Sequence, residues 1–491
     1  MNVPGVGTEA LRPAGADEEV CFAGAGELAR DLAAGRFTAR ELVEVFLARI
    51  DRVNPVLNAF VTVLADDALA AADASDRRRR DGSALGPLDG IPVAVKDVEP
   101  MAGVRFTMGL KPLAGNVSRV DPSHVRNLRR AGAVILGKTN TPEMGHKGTT
   151  DNFLFGPTRN PYRLDHNSGG SSGGAAAAVA AGLAVLAQGS DGGGSIRIPA
   201  ALCGVVGFKG SAFSVPEARR PDAFQAATPF QHIGALTRSV ADARLADQAL
   251  SAPDPRDPLF TPRPPAPAQR RRGPWRVAYD PRFGSAPVDA PVAAAVESAA
   301  RAARQLGEIG QTSLPLPPHE ELAHLWRRLI SVQTAFGAER IKRDLGVDLL
   351  GRHREDIPGE LAELIETGAR LSALEHARDS ARRTEVFDVI EDALAESDVL
   401  ITPVTGVAGV PNGPWGRTVG PRQIGGEPVE PTIGWALTFP VNFTGHPAVS
   451  VPVGLSPGGL PVGLQVIGRR GADAELLDFA GALAAALSTT R

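Results

Sequence analysis

Apolar residues recur at helical spacing over residues 25–50, with a break at Gly35, and Thr38 followed by Glu41 forms a capping box that opens TARELVEVFLARIDRVN. Beyond it, short apolar runs alternate with amphipathic stretches: IPVAVKD (91–97) reads as a strand, HVRNLRRAG (124–132) as a helix and AVILG (133–137) as a strand. SVADARLADQAL (239–250) is helical, and residues 251–274, rich in Pro and Arg without periodicity, read as a linker. From 275 to 395 the pattern is mostly helical, with an insertion expected over about 290–395. Strand character returns at DVLITPV (398–404), PAVSVPVG (447–454) and PVGLQVIG (461–468). No repeat of 20–50 residues is visible, and the alternation points to one α/β domain over 1–491.

One stretch breaks the amphipathic rule. Between GGSSGG and GSDGGGS, the thirteen residues 175–187 are all Ala, Val, Leu or Gly, too apolar for a Gly/Ser linker and too short to span a bilayer. A helix over about 174–181 stopped at Gly182, then a strand over about 183–189, accounts for them. The helix advances about 12 Å and the strand about 20 Å back, which returns the two glycine clusters to one end. Ser171 and Ser195, 24 positions apart, then become neighbours.

Composition narrows the functions. The 491 residues carry a formal net charge of −3, and the dense basic runs at 77–80 and 270–272 are not interleaved with aromatics, which argues against nucleic-acid binding. Two cysteines, Cys21 and Cys203, are too few for a disulfide framework, and the N-terminus lacks a signal-peptide pattern, so a cytoplasmic protein away from the membrane is expected. Only six of the 52 basic residues are lysine (Lys96, Lys111, Lys138, Lys147, Lys209 and Lys342), so a lysine that persists is a candidate for work that needs a titratable amine.

Three chemistries are open to the segments rich in glycine. A literal phosphate-loop match, Gly132 followed by AVIL, Gly137, Lys138 and Thr139, would make a nucleotide-binding protein, but its four middle residues are strand formers where such a loop must curl. Neither Gly/Ser cluster carries the lysine a phosphate loop needs. GSDGGGSIRIP instead sets a serine after three glycines, which lets backbone N–H groups converge on a developing oxyanion. A serine nucleophile needs a base. His146, His166 and His232 lie nearest in sequence but in no nucleophile motif, and without an H-E-x-x-H or C-x-x-C pair no metal is expected. Lys96 ends a buried strand, where desolvation favours the neutral amine. Its other reading is a salt bridge to Asp97 or another acid.

The segments GIPVAVKD, GKTNTPE, LFGPTRNP, GGSSGG, GSDGGGSIRIPAALCGVVGFKG and GLPVGLQVIG together resemble the amidase signature family, strongly over 88–212 and more weakly in the N-terminal helices and around 396–470. The resemblance implies a single α/β domain, a mixed central sheet covered by helices on both faces, and a cofactor-free Ser-Ser-Lys triad. Ser195 would be the nucleophile, Ser171 the bridging serine after a cis peptide from Gly170, and Lys96 the base. Gly192, Gly193 and Gly194, with Ser195, would donate N–H groups to the oxyanion, while Asp191 and Arg197 would brace the loop. Gly145, His146, Lys147 and Ser172 would meet substrate. The family usually has a hydroxyl residue at the position of Gly192. After GFKG, its Pro-Thr-Tyr-Gly-Arg run is replaced by SAFSVPEARRPDAFQAATPFQHIG, which weakens assignment to the glutamine-hydrolysing component of tRNA-dependent amidotransferases.

The expected activity is therefore hydrolysis of a small aryl or alkyl carboxamide through an acyl-serine, with ester, carbamate or urethane substrates open to the same chemistry, by a monomer or homodimer. Pocket walls are expected from 145–149, 210–235, 326–340 and 415–440, with Phe230, Phe336, Trp415, Trp435 and Phe439 as candidate apolar contacts.

Overall fold

The computed structural model describes residues 11–12, 15–220, 222–224, 231–264 and 273–489. Its centre is an eleven-stranded sheet. In chain order the strands are β1 (Phe60–Val63), β2 (Pro92–Lys96), β3 (Val134–Thr139), β4 (Leu186–Asp191), β5 (Val206–Lys209), β6 (His232–Thr237), β7 (Trp275–Tyr279), β8 (Gly307–Gln311), β9 (Val399–Pro403), β10 (Ala448–Leu455) and β11 (Pro461–Gly468). They lie in the order β1-β3-β2-β4-β6-β5-β10-β11-β9-β7-β8. β3, β2 and β4 run parallel, as do β9, β7 and β8, and every other pairing is antiparallel.

Helices cover both faces. Successive residues of β5 show this: Gly207 faces helix Arg197–Cys203, where an added Cβ would stand 2.6 Å from that of Ala200, while Phe208 turns into the cluster containing Leu476 of helix Asp473–Thr489. The capping box at Thr38 forms as expected, with the Glu41 N–H donating to Thr38 Oγ1 at 3.1 Å, and it opens helix Ala39–Leu57. Cys21 and Cys203 are free and buried. No helix of the described residues is long and apolar enough to cross a membrane.

Two expectations from the pattern need correction. The helical stretch expected over about 290–395 contains β8, and β7 and β8 form the far edge of the central sheet, so the purely helical part begins with helix His319–Leu345. GEIGQ escapes a strand reading because an exposed edge strand needs little apolar alternation. The expected linker is fastened wherever it is described, up to residue 264. Ser123 donates to Asp254 at 3.0 Å, the Glu217 N–H to Asp257 at 2.7 Å, and Arg263 to both Asp247 at 2.9 Å and Ser214 at 2.6 Å. The run at 270–272 lies outside the described residues.

Candidate active site

The alanine-rich stretch folds as helix Gly173–Ala180, turns at Gly182 (φ +69°) and returns as β4. Glycine lets the helix start close to the sheet: a Cβ on Gly174 would stand 2.3 Å from the backbone nitrogen of Asn140, just past β3. The two glycine clusters meet at this end, with the Ser172 N–H donating to the Ser195 carbonyl at 3.0 Å. The site lies beyond the carboxyl ends of the adjacent parallel strands β2 and β4, the usual place for ligands in such sheets.

Lys96, the last residue of β2, is fully buried. Its Nζ lies 2.7 Å from Ser171 Oγ and 3.1 Å from Ser190 Oγ. Burial pushes its amine down from 10.5 to about 7, against the opposing pull of Glu99 and Asp191. The competing salt bridge is absent, because Asp97 is held by Lys138 at 2.8 Å and by the N–H of Thr107 at 3.2 Å. Lys138 also donates to the Glu99 carbonyl at 2.6 Å. Its strand β3 is flanked by β1 and β2, so after the turn at Gly132 residues 134–139 are extended sheet with a committed lysine, not a phosphate loop. The Gly170–Ser171 peptide is cis.

The loop after β4 is braced by buried polar groups. Arg197 grips the Asp191 carboxylate in bidentate fashion at 2.9 and 2.8 Å and reaches Gln465 and Asn442, each at 2.6 Å. Burial acts to raise the Asp191 carboxyl, but the Arg197 guanidinium, with Lys209 and Asn442, holds it well below the usual carboxylate range. Gly194 departs from expectation: its N–H donates to Asp191 Oδ1 at 2.7 Å, so it is spent on bracing and does not face an oxyanion. The N–H groups of Gly192, Gly193 and Ser195 have no acceptor among the described residues. Gln231 takes the space left by the missing side chain at 192, its Oε1 2.9 Å from where a Cβ would stand.

Ser171, Ser195 and Gly192 open onto one cavity of about 210 Å³. Gly145, His146 and Lys147 line it, whereas Ser172 does not. Ser172 is fully buried and donates to the Ser190 carbonyl at 3.2 Å, so its hydroxyl serves the fold. His146 is also buried, which lowers its pKa, and its Nδ1 lies 2.7 Å from the Glu143 carbonyl oxygen. His166 pairs with Asp165 and His232 sits in β6; none of the three histidines is bonded to Ser171 or Ser195. Lys147 is tied to Glu360 at 3.1 Å.

Among the described residues the expected aromatic contacts do not wall the cavity. Trp435 and Phe439 are core residues, Trp415 lies on the surface against Phe153, Phe336 is exposed, and Phe230 falls outside the described residues. The apolar lining includes Val98, Met108, Met144, Trp326, Ile330 and Ile433, and the polar lining includes Glu99, Glu217, Arg219 and Gln231. Among the described residues no cluster of three or more His, Cys, Asp or Glu side chains is arranged to hold a metal.

Known proteins place this architecture. A family model described as amidase matches residues 41–477. An acylamidase of Rhodococcus erythropolis is 35% identical over 471 residues, covering 94% of each chain. The A component of the glutamyl-tRNA(Gln) amidotransferase of a Synechococcus species is 35% identical over 465 residues, covering 90% of this chain and 91% of its own. The crystal structure of a bacterial aryl acylamidase of the amidase signature family superimposes with a TM-score of 0.90 at 37% identity, over 95% of this chain and 96% of that one. These likenesses define the class, an enzyme that hydrolyses carbon–nitrogen bonds of amides. Within that class, the chain belongs to the amidase signature family.

Proposed function

We propose that the enzyme hydrolyses a small aryl or alkyl carboxamide through an acyl-Ser195 intermediate. The observation that carries this reading is the 2.7 Å contact between a buried Lys96 amine and Ser171, on the wall of the cavity that Ser195 also lines. Ser195 Oγ attacks the carbonyl carbon while its proton passes through Ser171 to the neutral Lys96 Nζ. The carbonyl oxygen gains negative charge and takes N–H bonds from Gly192, Gly193 and Ser195. Collapse of the tetrahedral species breaks the C–N bond, and Lys96 returns the proton through Ser171 to the departing nitrogen. Water then attacks the acyl ester by the same route in reverse, releasing acid and free Ser195. Asp191 and Arg197 keep the loop in shape and touch no reacting atom.

The Met- and Ile-rich lining suits an apolar substituent, and the acylamidase and aryl acylamidase relatives support an aryl or alkyl amide. Esters and carbamates satisfy the same chemistry. No cofactor is needed, and the chain works in the cytoplasm as a monomer or homodimer. The amidotransferase relatives support glutamine as a second reading. The purified chain should hydrolyse an acyl anilide by itself and release no ammonia from glutamine, and Ser195→Ala should abolish the anilide activity. Ammonia release from glutamine would favour the second reading, and full activity in Ser195→Ala would remove Ser195 as nucleophile.

A further inference from the structure

The three peptide units between Asp191 and Gly194 each have their carbonyl held by a side chain from the later part of the chain. The Asp191 carbonyl accepts from Asn442 Nδ2 at 2.9 Å, that of Gly192 from Trp326 Nε1 at 2.9 Å, and that of Gly193 from Thr438 Oγ1 at 2.7 Å. These peptides are trans, and in a planar trans peptide N–H and C=O point in opposite directions. Fixing each carbonyl therefore fixes the following N–H. For the Gly193–Gly194 unit, that N–H goes to Asp191. For the other two, in the loop that leads to Ser195, it is left without an acceptor among the described residues.

The middle unit depends on one donor. Trp326 belongs to helix His319–Leu345, is 4% exposed, and lies so close to the loop that a Cβ on Gly193 would stand 2.7 Å from its Nε1 and 2.8 Å from its Cε2. Gly192 itself has no side chain with which to hold the turn. We propose that Trp326 is a positioning residue whose indole N–H, by holding the Gly192 carbonyl, turns the Gly193 N–H toward the oxyanion. The inference rests on the reading of Ser195 as nucleophile. It gives helix His319–Leu345, whose stretch 326–340 was expected only to wall the pocket, a part in transition-state stabilisation.

The test is Trp326→Phe in the full chain, which keeps an aromatic ring and removes the donor. Loss of one oxyanion donor costs about 10²–10³ in rate, so disordering one should lower kcat about 10- to 100-fold while KM for an acyl anilide changes by less than about twofold. A trifluoromethyl ketone, to whose carbonyl Ser195 Oγ adds to give a hemiketal oxyanion with the serine proton passing to Lys96, should lose affinity by the same factor as kcat/KM. The carboxylic acid product, which makes no oxyanion, should bind as before. Unchanged kcat, or equal weakening of ketone and product, overturns the proposal. Gly193→Ala approaches the same contact from the loop side and should give the same inhibitor pattern, so it carries the test if Trp326→Phe does not fold. The double variant should be no worse than the poorer single, and additive losses would count against a shared contact. Full activity in Ser195→Ala would sink the nucleophile reading itself, whereas an inactive Ser195→Ala with an unimpaired Trp326→Phe sinks only the clamp.

Discussion

Lys96 and Glu143 are buried side chains whose ionisation the protein shifts toward the neutral form, with opposite consequences. In its proposed role as base Lys96 must be neutral, and burial brings its amine to about 7. kcat/KM should therefore rise with pH to a plateau, with the ascending limb near 7. Lys96→Met should remove the limb with the activity and still fold, because a buried amine gives way to a methionine of similar length; a Lys96→Met enzyme with the parent's profile would show another base at work. Glu143 is fully buried, accepts the Phe153 N–H at 2.9 Å through Oε1, and burial raises its carboxyl to about 8 from 4.5. Between those values the folded chain holds a proton that the unfolded chain has released, so this group lowers stability as pH rises from about 4.5 to about 8. Glu143→Gln, neutral at every pH, should match the parent near pH 5 and melt higher near pH 8. Equal melting temperatures at both pH values would show that Glu143 ionises normally.

At the scale of elements, the joint between helix Gly173–Ala180 and the β3 end decides whether the serines meet. Gly174 is the tightest point: a Cβ there would strike backbone, not a flexible side chain. Gly174→Val should cost about 3 kcal/mol or more and lower activity even in the fraction that stays folded, since Ser171 moves with the helix. Thermal melting and active-site titration together check this, and parent-like values in both would contradict the packing. The helix and its returning strand were legible in the sequence because a long run of small apolar residues must be buried, whereas the packing of Gly174 against the β3 end was not. Ser190 was legible in principle, since β2 and β4 run parallel with Val95 opposite Gln188, which brings Lys96 and Ser190 to the same strand end. The loop-holding bonds of Trp326, Thr438 and Asn442 were not, although Trp326 and Thr438 fall in the stretches 326–340 and 415–440 expected to wall the pocket. They come from positions 134 to 251 residues away from the loop they hold, and nothing in their local pattern separates them from ordinary core. The aromatic wall failed for the same reason: Trp435 and Phe439 read alike whether they face a core or a cavity.

Across the whole molecule, the chain is one sheet whose carboxyl-end edge collects groups from every region. β2 supplies Lys96, the alanine-rich hairpin supplies both serines, the fastened 251–264 segment secures Glu217 beside the cavity, and helix His319–Leu345 lays Trp326 over the loop. Motif and period exposed the first two contributions, which are local in sequence. The others depend on how distant segments close over the sheet. In the proposed mechanism all of these groups serve one chemical event, the transfer of an acyl group to Ser195. Mass spectrometry of the intact chain, quenched during turnover of an acyl anilide and followed by peptide mapping, observes that event itself. A mass increase equal to the acyl group is expected, mapped to Ser195 and missing in Ser195→Ala. An acyl group mapped to another residue, or turnover that persists in Ser195→Ala, would contradict it.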